Sequence, residues 1–168
     1  MWIRNLCYNA FMSKILRLHT LLKDEKILRA PNQELGFPLS KDMRKLIDDM
    51  LLTARKAPGI GLAAPQVGQN LMLAIINLEE MGIPPFVIIN PKIVSKSIKK
   101  TLMEEGCLSI PGRFGLVKRP AKIQVEAQNA AGKKIIIKAD RLLAKVLQHE
   151  IDHLNGILIE DKFVKQKQ

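Results

Sequence analysis

The stretch that most limits how this chain can fold is residues 140–154, DRLLAKVLQHEIDHL, followed by Asn155 and Gly156. Its apolar residues Leu142, Leu143, Val146, Leu147, Ile151 and Leu154 recur at helical spacing and cover more than half of the circumference. A helix apolar over so wide an arc is buried, with other elements wrapped around it. Asp140 suits an N-cap and Gly156 a stop. The same helix carries His149, Glu150 and His153, and imidazoles taken out of water need polar partners. The fold must therefore close around a helix that brings its own chemistry inside.

The remaining sequence supplies the wrapping. Ser40 precedes Met43, Leu46, Ile47, Met50, Leu51 and Ala54, which is helical spacing behind a capping residue, and Pro58-Gly59 ends it. A loop over residues 59–66 comes next. Short β-type runs are expected at 71–78, 86–90, 116–118, 122–127 and 133–138, the last two joined by a turn sequence at 128–132. No internal repeat or low-complexity linker marks a second domain. The expected class is α+β, with short antiparallel strands packed around a central C-terminal metal-binding helix, in one catalytic domain over residues 24–168. Residues 1–23 contain Arg4, Lys14, Arg17 and Lys23 but no acid. They read as a basic leader, an ordinary N-terminus or an early start ahead of Met12, with an organelle import signal as the lesser alternative.

His149, Glu150 and His153 form the pattern H-E-x-x-H. Residues i and i+4 share one helix face, so both imidazoles can reach one ion, and Glu150 can reach a water beside it. A catalytic ion takes a third protein ligand and keeps one position open. His19 lies in the leader and is expected to be exposed. Cys107, within Glu104-Glu105-Gly106-Cys107-Leu108-Ser109-Ile110-Pro111, a strand-like run that the proline ends, is better placed. Its bland reading is a small buried apolar side chain, and Cys7 keeps that reading. With Cys107 as third ligand the donors would be two nitrogens and one sulfur, a soft set that suits Fe²⁺ or Zn²⁺ without deciding between them. Two cysteines in 168 residues build no disulfide framework, which points to a reducing compartment.

Three stretches occur in order along the chain: Gly59-Ile60-Gly61-Leu62-Ala63-Ala64-Pro65-Gln66, then Glu105-Gly106-Cys107-Leu108-Ser109, then Gln148-His149-Glu150-Ile151-Asp152-His153. Together they resemble the three signature motifs of peptide deformylases, and the likeness extends over residues 27–162. The resemblance implies hydrolysis of the formamide on the N-terminal methionine of nascent polypeptides. It implies Cys107, His149 and His153 as metal ligands, Glu150 as acid and base, and Gln66 with the Leu108 amide facing the substrate carbonyl. Ile60, Gly61 and the Gly106 side would pair with an extended N-formyl-methionyl peptide as an added strand. The resemblance favours Fe²⁺ in the cell, with Zn²⁺, Ni²⁺ or Co²⁺ as alternatives, and a bacterial-type cytoplasmic monomer. The chemistry agrees, because coordination brings a water from a pKa near 15.7 to about 7.

The chain departs from the family pattern at Pro65 and at residues 111–115, where the best-known bacterial form has an arginine in place of Phe114 and where Arg113 is its neighbour. Lys145 stands where some relatives have an aliphatic residue. Only 15 residues follow His153, so the long C-terminal helix that some relatives use to dock on the ribosome is expected to be short or absent.

The formal net charge is +11 and the pI about 9.8. Such an excess favours an anionic partner, and a transient contact with ribosomal RNA through a basic surface is one use for it; dispersed lysines that only solvate the surface are the other. No apolar run reaches the roughly 18–20 residues that span a bilayer. Two rival functions remain at this level. One is a small zinc peptidase in which Glu160 replaces Cys107 as third ligand. The other is a basic RNA-binding module with a structural metal, which would need four protein ligands where three are evident.

Overall fold

The computed structural model describes residues 13–165; Cys7 and the first half of the expected leader lie outside them. In chain order the elements are α1 (Leu21–Leu28), α2 (Lys41–Lys56), β1 (Gly61–Ala63), β2 (Leu73–Leu78), β3 (Ile83–Lys96), β4 (Lys100–Cys107), β5 (Ile110–Pro120), β6 (Lys122–Gln128), β7 (Lys134–Asp140) and α3 (Arg141–Leu154). Short 3-10 turns occupy Ala64–Val67, Glu79–Met81 and Ile159–Lys162. Five strands form one sheet in the order β1-β2-β3-β6-β7, and β4 with β5 forms a separate two-stranded ribbon. All pairings between these strands are antiparallel; an isolated bridge, Gln33 to Leu71, is parallel. The class is α+β, as expected.

Alternation along β2 explains how the layers assemble. Successive side chains of a strand point to opposite faces. Ala74 and Ile76 join one cluster with Ala144, Leu147, Ile151 and Leu154 of α3. Leu73 and Ile75 join another with Ile47, Met50, Leu51 and Ala54 of α2. The sheet is thus covered on both faces at β2. At β6 and β7 only one face is covered: Ile123, Val125, Ala127 and Ala139 pack toward α3, while Lys122, Glu126, Lys134 and Lys138 are exposed.

Ser40 caps α2 as expected, its hydroxyl accepting the Met43 N–H at 3.1 Å. Asp140 does not cap α3. Its side chain makes no capping bond, and β7 runs directly into the helix through Arg141, whose φ is 49°. Gly156 does stop α3, with φ of 70° and the Arg29 carbonyl oxygen 2.9 Å from where a Cβ would sit. The runs expected at 86–90 and 116–118 are the middles of longer strands, β3 and β5. The strand β1 and the helix α1 were not expected, and of β4 only its end was, within the strand-like run that leads to Pro111.

Residues 13–23 do not stand apart from the core. Lys14 N–H donates to Asp49 Oδ1 at 2.8 Å, Leu16 N–H to Thr53 Oγ1 at 2.9 Å, His19 N–H to the Gln66 carbonyl at 2.8 Å and Leu21 N–H to the Ser109 carbonyl at 2.8 Å. His19, expected to be exposed, is largely buried, with Nδ1 3.1 Å from Asp24 Oδ1. Among the described residues no helix is long and apolar enough to cross a membrane.

Candidate metal centre

Helix α3 presents His149 and His153 one turn apart, their rings edge to face at 4.9 Å. The end of β4 brings Cys107 to them, just after a register shift between Gly106 and Cys107 that breaks the ladder with β5. Cys107 Sγ lies 3.2 Å from His153 Nε2. The three potential ligand atoms all fall within 4.8 Å of one another.

Behind His149 stands a chain of charges that sequence reasoning missed. Glu105 Oε2 lies 3.1 Å from His149 Nδ1. Arg119 grips the same carboxylate through Nε at 2.7 Å and Nη2 at 3.0 Å, and its Nη1 donates to Asp152 Oδ2 at 2.7 Å. Burial works against the Glu105 anion, but the hydrogen bonds from His149 and Arg119 outweigh it and bring its pKa down to about 2. Burial likewise opposes a charged His149, yet the bonds to Cys107 and Glu105 raise its pKa to about 10. His153, without such support, is held well below the usual range by burial and then by the charges of His149 and Arg119. The surroundings of His149 therefore stabilise positive charge at the cluster, which is what a divalent ion brings.

Glu150 is fully enclosed. Burial raises its pKa to about 7, against the pull of His149 and Arg119, and its Oε2 has no hydrogen-bond partner among the described residues. Buried polar atoms are ordinarily satisfied. An unpartnered carboxylate oxygen one residue from His149 fits a water or substrate atom at that place. Three protein donors, S, N and N, are the number a catalytic ion takes when its fourth position is left to water or substrate.

The other residues singled out in the sequence surround this cluster unevenly. Gln66 sits on the 3-10 turn; its Oε1 accepts the Ala63 N–H at 2.8 Å, which leaves Nε2 3.2 Å from Ser109 Oγ and 3.7 Å from Cys107 Sγ. Gly61 abuts the Glu150 carboxylate so closely that a Cβ there would collide with Oε1, a packing reason for glycine that the sequence did not disclose. Leu108 is half-buried and lies against Gly59, 2.9 Å from where a Cβ would sit. Ile60 is 42% exposed and Gly106 is exposed. Phe114 is 67% exposed, its ring over Gly106. Lys145 Nζ donates to the Glu104 carbonyl at 2.6 Å. Glu160 is engaged by Arg113 at 2.5 Å and is no part of the cluster, so the zinc-peptidase reading loses its third ligand.

A buried H-E-x-x-H helix, a cysteine delivered by a separate ribbon and an enclosed carboxylate between them define a metal-dependent hydrolase. The sequence profile described as polypeptide deformylase matches residues 18–168. A peptide deformylase from a Synechococcus species is 43% identical over 153 residues, covering 90% of this chain and 75% of that protein. One from Rhizobium meliloti is 48% identical over 131 residues, covering 77% and 75%. Among solved structures, the peptide deformylase of Thermotoga maritima superposes with a TM-score of 0.83 at 32% identity, covering 90% of this chain and 99% of that one. That of Synechococcus elongatus in complex with actinonin gives 0.82 at 42% identity, covering 90% and 80%. The chain belongs to the polypeptide deformylase family. It is a hydrolase that removes the N-formyl group from nascent polypeptides with a single metal ion.

Proposed function

We propose that Cys107, His149 and His153 hold the metal ion, and that Glu150, Gln66 and the Leu108 amide carry the reaction. The observation that supports this most is the convergence of three ligand atoms next to the buried, unpartnered Glu150 carboxylate. When bound, a divalent ion supplies Lewis acidity and a water acidic enough to lose its proton near neutral pH. Glu150 accepts the proton of the water that adds to the formyl carbon and passes it to the departing amine nitrogen, so that water and formamide become formate and a free N-terminus. Because Gln66 Oε1 is committed to Ala63, Gln66 Nε2 is the end that donates to the formyl oxygen, in place of its long contact to Cys107 Sγ. With the Leu108 N–H it offsets the negative charge that builds there, each donor contributing about 3–4 kcal/mol.

Ile60, Gly61 and Gly106 offer backbone to an extended peptide, and pairing through backbone is blind to side chains, which suits a substrate of many sequences. The softness of the S, N, N set and the family resemblance together favour Fe²⁺ over Zn²⁺, Ni²⁺ or Co²⁺. The catalytic unit begins near residue 13, where the backbone bonds to α2 start, and acts as a monomer in the cytoplasm, touching ribosomal RNA through its basic surface. Anaerobic purification, with metal analysis and formate release from a formyl-methionyl peptide on the same sample, tests the assignment. One iron per active chain is the expected result; full activity in metal-free protein overturns it.

A further inference from the structure

The solvent face of β6 and β7 gathers lysines that no carboxylate holds. Register sets Lys122 opposite Asp140 and Gln124 opposite Lys138, with Ser95 of β3 next in the same row as Gln124. Directly opposed residues share a face, and Ile123, Val125 and Ala139 occupy the other, buried one. Lys122 and Lys138 of this face, with Lys96 at its edge opposite Ile123, line a groove of about 520 Å³ together with Ser95, Ser97, Gln124 and Asp140. Lys99 and Lys100 adjoin it, at and before the start of β4, where Ser97 Oγ donates to the Lys99 carbonyl and accepts the Lys122 N–H. Among the described residues none of these five lysines makes an ion pair, whereas Lys45, Lys92 and Lys162 each do. The acids on this face are Asp140 and Glu126. Lys134 is exposed on the same face and Lys92 there is matched by Glu34, so six further lysines against two acids leave a local net charge of +4.

We propose that this face binds the phosphate backbone of RNA, the lysines meeting phosphate oxygens and Ser95 and Gln124 donating between them. The proposal rests on the reading above that the enzyme works on nascent polypeptides, which emerge from an RNA-rich particle. It gives a place to the contact that net charge alone leaves diffuse. Lys100 and Cys107 are the two ends of the eight-residue β4, so the patch lies roughly 23 Å from the metal cluster at about 3.3 Å per residue. RNA held there leaves the catalytic mouth open. A lipid surface would use a cluster of apolar anchors as well as charge; the two exposed ones here, Ile98 at the turn between β3 and β4 and Ile136 opposite Glu126, are separated by the length of β6 from Lys122 to Glu126.

The test compares two triple variants of the full chain: K96Q/K122Q/K138Q in the groove, and K23Q/K41Q/K56Q, which removes the same charge from α1 and α2. Binding of a fluorescently labelled RNA hairpin is followed by anisotropy across a salt series. The groove variant should bind at least about tenfold more weakly at low salt and lose about 2–3 from the log–log salt slope, while the control changes by less than about threefold. Formate release from a formyl-methionyl tripeptide should match the parent in both, so a catalytic misassignment would show in the parent and not in this comparison. Equal weakening in the two variants, or no RNA binding by the parent, overturns the proposal. So does selective loss of binding to phosphatidylcholine–phosphatidylglycerol vesicles with RNA binding intact, which would assign the groove to a membrane.

Discussion

Helix α3 meets two partners, and the contacts differ in kind. Toward the five-stranded sheet it buries Ala144, Leu147, Ile151 and Leu154 among Ala63, Ile76, Ile88 and Val125. Toward the β4–β5 ribbon its bonds are polar. Lys145 donates to the Glu104 carbonyl, Gln148 Nε2 to the Pro120 carbonyl at 3.1 Å, His149 meets Glu105, Asp152 accepts from Arg119, and His153 lies against Cys107. Apolar burial is non-directional and grows with area, so the sheet side holds the helix without fixing its rotation finely. Hydrogen bonds need distance and angle, and a buried ion pair adds little net stability over an apolar pair. The ribbon side is therefore the part that aims the ligands. One helix is stabilised on one face and positioned on the other.

That contrast can be broken by experiment, most sharply at the ligands themselves. His153→Ala or Cys107→Ala should abolish tight metal binding and formate release, because a three-ligand site has no spare. Full metal content in either variant would remove that residue from the set.

Glu150→Gln comes next. It keeps the side-chain shape and all three ligands, so metal content should equal that of the parent while kcat falls by roughly 10²–10⁴-fold. The lost interaction belongs to the transition state, so kcat/KM should fall by the same factor. A metal-loaded variant that kept more than about a tenth of the parental rate would end the role given to Glu150.

Glu105→Gln should weaken metal affinity by about 10–100-fold, the usual cost of altering a group that orients a ligand. It leaves an acceptor near His149 but removes the charge behind it and half of the pair with Arg119. Chelator competition measures this; unchanged affinity would reduce the ribbon side to mere packing. The smallest catalytic effect belongs to the sheet side. Leu147→Ala should lower stability by about 2–5 kcal/mol in denaturant unfolding, with kcat per folded, metal-loaded molecule within about twofold of the parent. Weaker metal binding by the folded variant would erase the distinction between the two faces.

What was legible in the sequence follows the same division. The two longer helices showed through their 3.6-residue periodicity, and β6 and β7 through alternation and the turn at 128–132. These signals are local. The ribbon was largely invisible, because β4 reads KTLMEEGC, a run with five exposed residues before Glu105 and no apolar alternation. It is a strand by virtue of its ladder to β5, from Lys100↔Pro120 to Gly106↔Phe114. The Glu105–Arg119 pair was missed for the same reason: the two residues share a face only after the ribbon has folded back on itself. Residues 14–21 gave no periodic pattern, yet their backbone satisfies Asp49, Thr53, Gln66 and Ser109.

The sequence by itself determined that a helix carrying His149, Glu150 and His153 must be buried, since apolar residues on most of its circumference and ligands at i and i+4 are facts of one local repeat. It also determined, by three motifs in order, the family and hence the reaction. The same motifs pointed to Cys107 as the partner of those histidines; only the tertiary structure decided that Glu105 and Arg119 stand behind them and that a glycine at position 61 is packed against Glu150. Only the tertiary structure, too, gathered Lys96, Lys122 and Lys138 around one groove. Those contacts join residues far apart along the chain, and no periodicity encodes a partner that is chosen by strand register and by the space left between packed layers.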